Sequence, residues 1–224
     1  LTIRAFNLAE RYRMPVVVMS ETTIALMREK LVIPEPEEIE IVNREKPQVP
    51  PEEFLPFRAG PNGVPPLPDF GDGYRILHSL NPHDEEGSIH WDPEVYDALY
   101  HRITGKITAN YDDVVQTKAY YLDDARIGLV ANGSECRPAL EAVEQSRDQR
   151  VKARMLKLDT IWPVPDREIR ALAEQCSTLY AVEMNIGKYA GEIERAAAGQ
   201  CEVVRVTKNL GLVHTPGEIL EAML

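Results

Sequence analysis

From Arg126 to its end the chain alternates short β-branched runs with amphipathic helical stretches, and no other feature constrains the fold as much. "RIGLVA" reads as a strand and "GSECRPALEAVEQSRD" as a helix, with Pro138 tolerable only near its first turn. "VKARMLKLDTIW" is the next strand. "VPDREIRALAEQC" is a helix whose Ile169, Leu172, Ala173 and Cys176 share one face. "STLYAVEMN", "KYAGEIERAAA" and "CEVVRVT" then give strand, helix, strand. "TPGEILEAML" closes the pattern, with Thr215 as cap, Pro216 at the first helical position and Glu218 completing a capping box. Four strands alternating with helices predict an α/β fold, a mostly parallel, doubly wound sheet over residues 123–224. That stretch is long enough to form a domain by itself.

Two other zones precede it. Residues 1–33 read as helix, strand, helix. Ala5, Leu8, Ala9 and Tyr12 follow helical spacing, "MPVVVMS" has the composition of a strand buried on both faces, and Ser20 can cap "ETTIALMREK". This is the end of a larger α/β domain, and the opening "LTIRAFNLAE" looks like a point inside a longer protein. Residues 34–122 hold most of the prolines, in "IPEPEE", "KPQVPPEEFLPF" and "GPNGVPPLPDFGDG". Proline fixes φ and removes a backbone donor, so the zone runs as extended segments and turns. Phe54, Leu55, Phe57, Leu67, Phe70, Tyr74, Ile76 and Leu77 are too many large apolar groups for a free linker, which predicts an ordered arm wrapped on another surface. A helix resumes in "DPEVYDALYHRITGKI", capped by Asp92 with Pro93 at its first position and Val95, Leu99 and Ile103 on one face.

A net charge of −11 over 224 residues argues against nucleic acid or an anionic membrane as the main partner. No apolar run is long enough to span a bilayer. Cys136, Cys176 and Cys201 are far apart with no CxxC spacing, too few to hold zinc or an iron–sulfur cluster alone. Their sparse, odd number fits a reducing cytoplasm.

Four places carry candidate chemistry. Gly71-Asp72-Gly73 looks like the start of a thiamine phosphate loop, but proline-rich sequence precedes it, an extended segment follows, and the chain has no Asn-Asn pair to complete a magnesium shell. Two glycines around an aspartate are by default a turn. His83, Asp84 and Glu85, with Glu86, place an imidazole beside carboxylates, as a metal site or an acid–base pair would; a solvated turn is the alternative. Asn132, Gly133 and Ser134 form a strand-to-helix turn of the kind that binds ligands on helix amides, and Asn185 lies in "EMNIGK" at another strand end, so each is either a ligand edge or an interface turn. No residue is assigned a catalytic or metal-ligating role.

The linear order of segments says more. "IRAFNLAERYRMPVVVMS", "MREKLVIPEPEEIEIVNREKP", "FGDGYRILHSLNPHDEEG", "GLVANGS", "KLDTIWPVPDREIRALAE", "AVEMNIGKYAGEIERAA" and "HTPGEILEAM" together resemble the α subunit of 2-oxoacid:ferredoxin oxidoreductases, closest to the 2-oxoglutarate type. Ser20 and Lys188 depart from the pattern, where aspartate and glutamine are expected. The resemblance implies that residues 1–33 end a thiamine-pyrimidine-binding domain, that 34–122 are an arm and connecting helix, and that 123–224 are a transketolase C-terminal-like domain. It implies oxidative decarboxylation of a 2-oxoacid to an acyl-CoA, with electrons passed to ferredoxin. Thiamine diphosphate, Mg2+ and a 4Fe–4S cluster would be held mainly by a β subunit in a hetero-oligomer, and none by this chain alone. The His83–Glu85 loop would lie near the substrate. A stand-alone interaction module, or the transketolase-like domain of another thiamine enzyme, are the alternatives.

Overall fold

The computed structural model describes residues 1–78, 80–121, 125–209 and 211–224. They fall into two units, Leu1–Met19 with Leu31–Tyr111, and Ser20–Lys30 with Asp112–Leu224. The first expected helix forms as α1, Thr2–Tyr12, and stops where Arg13 turns left-handed (φ 46°) and returns its amide to Ala9 O. Two expectations fail just after it. "MPVVVMS" forms no strand, and Val16, Val17, Val18 and Met19 are exposed. β-branched composition favours extended backbone, but a strand exists only by pairing its amides, and among the described residues no strand pairs with this run. Nor does Ser20 cap the next helix. Glu21 does, accepting from Thr23 N at 2.6 Å and Ile24 N at 2.9 Å. That helix, α2, covers only Thr22–Leu26, where three β-branched residues oppose propagation.

In the first unit the proline-rich arm is ordered without being regular. Its only repeating pieces among the described residues are 3-10 turns at Pro36–Glu38 and Pro51–Glu53 and a bridge between His83 and Ile89. Phe54 and Val64 are buried, as are Pro56, Pro65, Pro68 and Pro82, whereas Phe70 and Leu77 stay outside. Side chains supply the hydrogen bonds that a sheet would otherwise give. Arg13 Nη1 donates to Pro56 O at 2.6 Å and Pro66 O at 3.3 Å. Asn7 donates to Glu40 O at 2.8 Å and accepts from Val42 N at 3.0 Å, and Arg44 pairs with Glu10. The arm is thus laced to α1. Helix α3, Pro93–Thr108, starts as predicted: the Asp92 carboxylate accepts from Glu94 N at 2.8 Å, with Pro93 in the first turn.

Helix α4, Tyr111–Val114, carries the chain into the second unit, which holds the sheet. It has five strands: β1 (Thr117–Tyr120), β2 (Ile127–Asn132), β3 (Ala153–Leu158), β4 (Thr178–Glu183) and β5 (Glu202–Thr207). Their order is β1-β3-β2-β4-β5. β2 to β5 are parallel, as the alternation predicts, and β1 is an antiparallel edge that the sequence reading passed over. Parallel strands need crossovers, which cover both faces with helices. Helices α5 (Cys136–Asp148) and α8 (Pro216–Met223) pack on one face, around Leu129, Val143, Met155 and Ile219. Helices α6 (Asp166–Ala173) and α7 (Ala190–Ala197) pack on the other, around Leu156, Ile169, Leu179 and Ile193. Gly128 permits that second packing, since a β-carbon there would lie 2.5 Å from Leu179 Cδ2. The Thr215–Glu218 capping box of α8 is present in both directions.

The domain boundary expected at residue 123 lies outside the described residues. The observed unit includes Asp112–Tyr121 and also Ser20–Lys30, where Glu29 pairs with Arg137 at 2.7 Å. Expressed alone, residues 112–224 should unfold in a single cooperative transition. Residues 125–224, which lack β1 and bare the edge of β3, should melt about 5–10 °C lower. Broad, non-cooperative melting of both fragments would show that the sheet needs the rest of the chain.

Candidate functional site

The topology places two strand ends together. β2 leads through α5 to β3 on one side, and β3 leads through α6 to β4 on the other side of β2. At the carboxyl ends of β2 and β4 the following helices therefore leave toward opposite faces, and such a switch point opens a crevice in doubly wound sheets. Asn132, Gly133 and Ser134 stand at one lip. Asn132 ends β2, Gly133 adopts φ 58°, and the Ser134 side chain hydrogen-bonds Glu21. Asn185 stands at the other lip, two residues beyond the end of β4.

At the β4 lip the polar groups are already engaged. Glu183 is buried and accepts from Asn185 Nδ2 at 2.7 Å, Tyr189 N at 3.0 Å and Ala190 N at 2.9 Å, which satisfies the amino end of α7. Asn185 Oδ1 accepts from Gly187 N at 2.9 Å and Lys188 N at 2.8 Å. On the β2 side Glu135 is 2% exposed and accepts from His214 N at 3.3 Å. His214 Nδ1 lies 3.1 Å from Glu135 Oε2 but makes no hydrogen bond, so the imidazole is held there by proximity and burial. This pair joins residues 79 apart in sequence, and nothing in either local segment announces it.

The acidic loop belongs to the first unit. Asp84 organises it: Oδ1 accepts from Glu86 N and Ser88 N, each at 2.9 Å, and Oδ2 lies 2.9 Å from His90 Nε2. Slight burial works against its charge, but the bonds from Ser88, His90 and Glu86 prevail and hold its carboxyl below the usual aspartate range. His83 packs against Phe57 with ring centroids 3.8 Å apart and the rings tilted by 39°, and Glu85 pairs with Arg58 at 2.9 Å. Among the described residues no three His, Cys, Asp or Glu side chains converge as a metal would require. Gly71-Asp72-Gly73 is a turn. Both glycines have positive φ, Asp72 Oδ2 accepts from Asp69 N at 2.8 Å, and among the described residues no helix follows the turn before Pro93. A cavity of about 260 Å³ lies elsewhere in this unit, between α1 and the arm, lined by Arg13, Met14, Arg44 and Leu67 among others. It contains none of the predicted site residues.

Residues 125–218 match the pyruvate:ferredoxin oxidoreductase core domain II family. The 2-oxoglutarate synthase subunit KorA of Methanothermobacter thermautotrophicus is 43% identical over the whole chain, and that of Methanocaldococcus jannaschii 36%. Over its whole length the chain is similar to 2-oxoglutarate synthase subunits, and residues 125–218 carry the match to the oxidoreductase core domain II. The chain spans 59% of the length of each of those relatives. The ketoisovalerate oxidoreductase subunit VorB of Methanothermobacter marburgensis is 27% identical over 94% of the chain, which covers 52% of that subunit. A solved 2-oxoglutarate:ferredoxin oxidoreductase from Magnetococcus marinus, with 2-oxoglutarate, coenzyme A and succinyl-CoA bound, shares the fold. Its TM-score is 0.84 at 20% identity, over 97% of this chain and 38% of that one.

The loop makes a direct prediction. Gly87 has φ 92°, and a β-carbon there would sit 3.0 Å from both Leu77 O and the Phe57 ring. Gly87→Ala should therefore destabilise the first unit by about 1–3 kcal/mol, read as a lowered denaturant midpoint. An unchanged midpoint would mean that the loop is not held as described.

Proposed function

We propose that this chain forms part of the α subunit of a thiamine-diphosphate-dependent 2-oxoacid:ferredoxin oxidoreductase that acts on 2-oxoglutarate. The observation that carries the reading is the 43% identity to a 2-oxoglutarate synthase subunit along all 224 residues, against 27% to a ketoisovalerate subunit. The reaction is oxidative decarboxylation: the 2-oxoacid loses carbon dioxide, its acyl group passes to coenzyme A, and its electrons pass to ferredoxin.

Thiamine diphosphate, Mg2+ and a 4Fe–4S cluster are assigned to a partner β subunit, because the residues of this chain do not fit them. A cluster takes thiolates that converge. Cys136 and Cys176 lie in the cores on opposite faces of the sheet, and burial pushes their thiols up to about 12 and about 11. The aspartate of the Gly-Asp-Gly turn is bound into its own loop. This chain's share is shape and subunit contact. In the first unit Val17, Met19, Leu31 and Ile33 are exposed, apolar side chains that suit burial in a larger hetero-oligomer. Among the described residues no helix is long and apolar enough to cross a membrane. The sparse, free cysteines support a place in the reducing cytoplasm.

The turns at Asn132–Ser134 and at Asn185 are assigned to positioning, since their polar groups serve Glu21, Glu183 and the amides of Gly187 and Lys188. The His83–Glu85 loop is assigned to the neighbourhood of the substrate. Assembled with its partner, the enzyme should reduce a viologen dye with 2-oxoglutarate in a coenzyme-A-dependent way, faster than with pyruvate or 2-oxoisovalerate. This chain alone should turn over nothing. Preference for pyruvate would overturn the substrate assignment, and a brown, cluster-bearing preparation of this chain alone would overturn the cofactor assignment. Asp72→Ala should leave thiamine affinity of the assembled enzyme unchanged. Glu85→Gln should raise KM for 2-oxoglutarate several-fold without lowering Tm, and an unchanged KM would remove the loop from the substrate's surroundings.

A further inference from the structure

Three cations meet in the first unit, and no described carboxylate pairs with them. Lys106 on α3 is 4% exposed, and the one acceptor found for its Nζ among the described residues is the Arg13 carbonyl at 3.3 Å. An ammonium has three donors, so most of its capacity is unused. Arg102, one helical turn earlier, is half-buried and makes no hydrogen bond or ion pair among the described residues. Arg13 donates to Pro56 O and Pro66 O, with its guanidinium 5.0 Å from the Phe57 ring centroid. Neighbouring carboxylates are committed elsewhere, Glu85 to Arg58 and Glu10 to Arg44, and Glu85 reaches Arg102 only through the field of its charge.

Buried charges in proteins are paired, because an unopposed one costs several kcal/mol. A clamp for the arm accounts for Arg13 and for the single bond of Lys106. It does not account for Arg102, which anchors nothing, or for a third charge set beside two others. We propose that Arg13, Arg102 and Lys106 form a binding site for a small polyvalent oxyanion, of phosphate or dicarboxylate chemistry. Arg102 offers a planar fork to paired oxygens, Lys106 a point charge, and Arg13 a fixed positive field. The site stands on this cluster and does not depend on the enzymatic assignment.

Proton linkage gives it a specific signature. Burial, then the charges of Arg102 and Arg13, push Lys106 down to about 8. The other charged groups nearby are Arg44, which acts on Arg13, and Glu85, which acts on Arg102. Between about pH 8 and the ordinary lysine value of 10.5 the unfolded chain holds a proton that the folded chain has shed, so stability rises with pH across that window. A bound anion restores the proton, so binding at pH 8.5 takes up protons and flattens the rise.

The test titrates the 224-residue chain with sodium phosphate, pyrophosphate or succinate at constant ionic strength. It follows Tm, together with calorimetric heats in two buffers of different ionisation enthalpy. We expect saturable binding of at least one of the anions, proton uptake at pH 8.5, and about tenfold or greater weakening in Arg102→Gln and in Lys106→Met. Comparing the phosphates with succinate identifies the preferred oxyanion. Circular dichroism confirms folding, and Lys106→Met keeps the apolar stem of the side chain. Absence of saturation beyond the ionic-strength control would overturn the proposal, as would affinity unchanged in both folded variants.

Discussion

A buried backbone amide or carbonyl without a partner costs about as much as a lost hydrogen bond, and the chain meets that requirement in two ways. In the second unit the parallel ladder of β2, β3, β4 and β5 pairs the strands, and helices on both faces exclude water. In the first unit prolines have removed many of the donors that a ladder needs. Arg13, Asn7 and Tyr74 reach across from distant positions to satisfy carbonyls of the arm. The arm is therefore ordered by side chains, and its order depends on α1.

The sign of the buried charge follows the same supply. Proline-rich backbone is rich in carbonyls and poor in amides, so the side chain that gains by burial in it is a donor, Arg13. Helix starts are rich in unpaired amides, and there the groups drawn in are carboxylates: Glu183 at the start of α7 and Glu21 at the start of α2. A chain of net charge −11 can thus carry a cationic cluster in its interior without contradiction. Arg154 is the exception in the second unit, buried and bonded to Gln175 at 2.6 Å beyond the end of α6.

What could be read from sequence was what local chemistry determines. The four parallel strands, the Asp92–Pro93 start of α3 and the Thr215–Glu218 box of α8 each have their signal within a few residues, and each formed. β1 was missed because "TKAY" is short and mixed in polarity, and it owes its existence to the free edge of β3. The "VVV" run was read as a strand on composition, yet pairing is supplied by a neighbour and not by the run itself. The candidate site divides in the same way. Asn132–Ser134 could be placed at a strand end by pattern alone, whereas the Glu135–His214 contact and the meeting of Arg13 with Lys106 join positions that only the tertiary fold brings together.

The switch point shows how a fold can offer a site and then close it. The crevice between β2 and β4 is where a doubly wound sheet ordinarily receives a ligand. Here its lips are stitched by the chain itself, with Glu183 and Asn185 bonded into the α7 start and Ser134 bonded to Glu21 of the segment that folds with this unit. A ligand entering there would have to break hydrogen bonds to buried groups, each break leaving a polar atom unsatisfied at about 1–3 kcal/mol. The stitched edge holds its loops at fixed positions, and Trp162 and Ile186 stand exposed on them. The Tyr189 hydroxyl, bonded to Ile161 O at 3.0 Å, ties the loop that bears one to the loop that bears the other. Rigid loops with outward apolar side chains lose little conformational entropy when covered by another surface. The edge that has the topology of a ligand crevice is thus held in shape, residue by residue, by the hydrogen bonds of the chain itself.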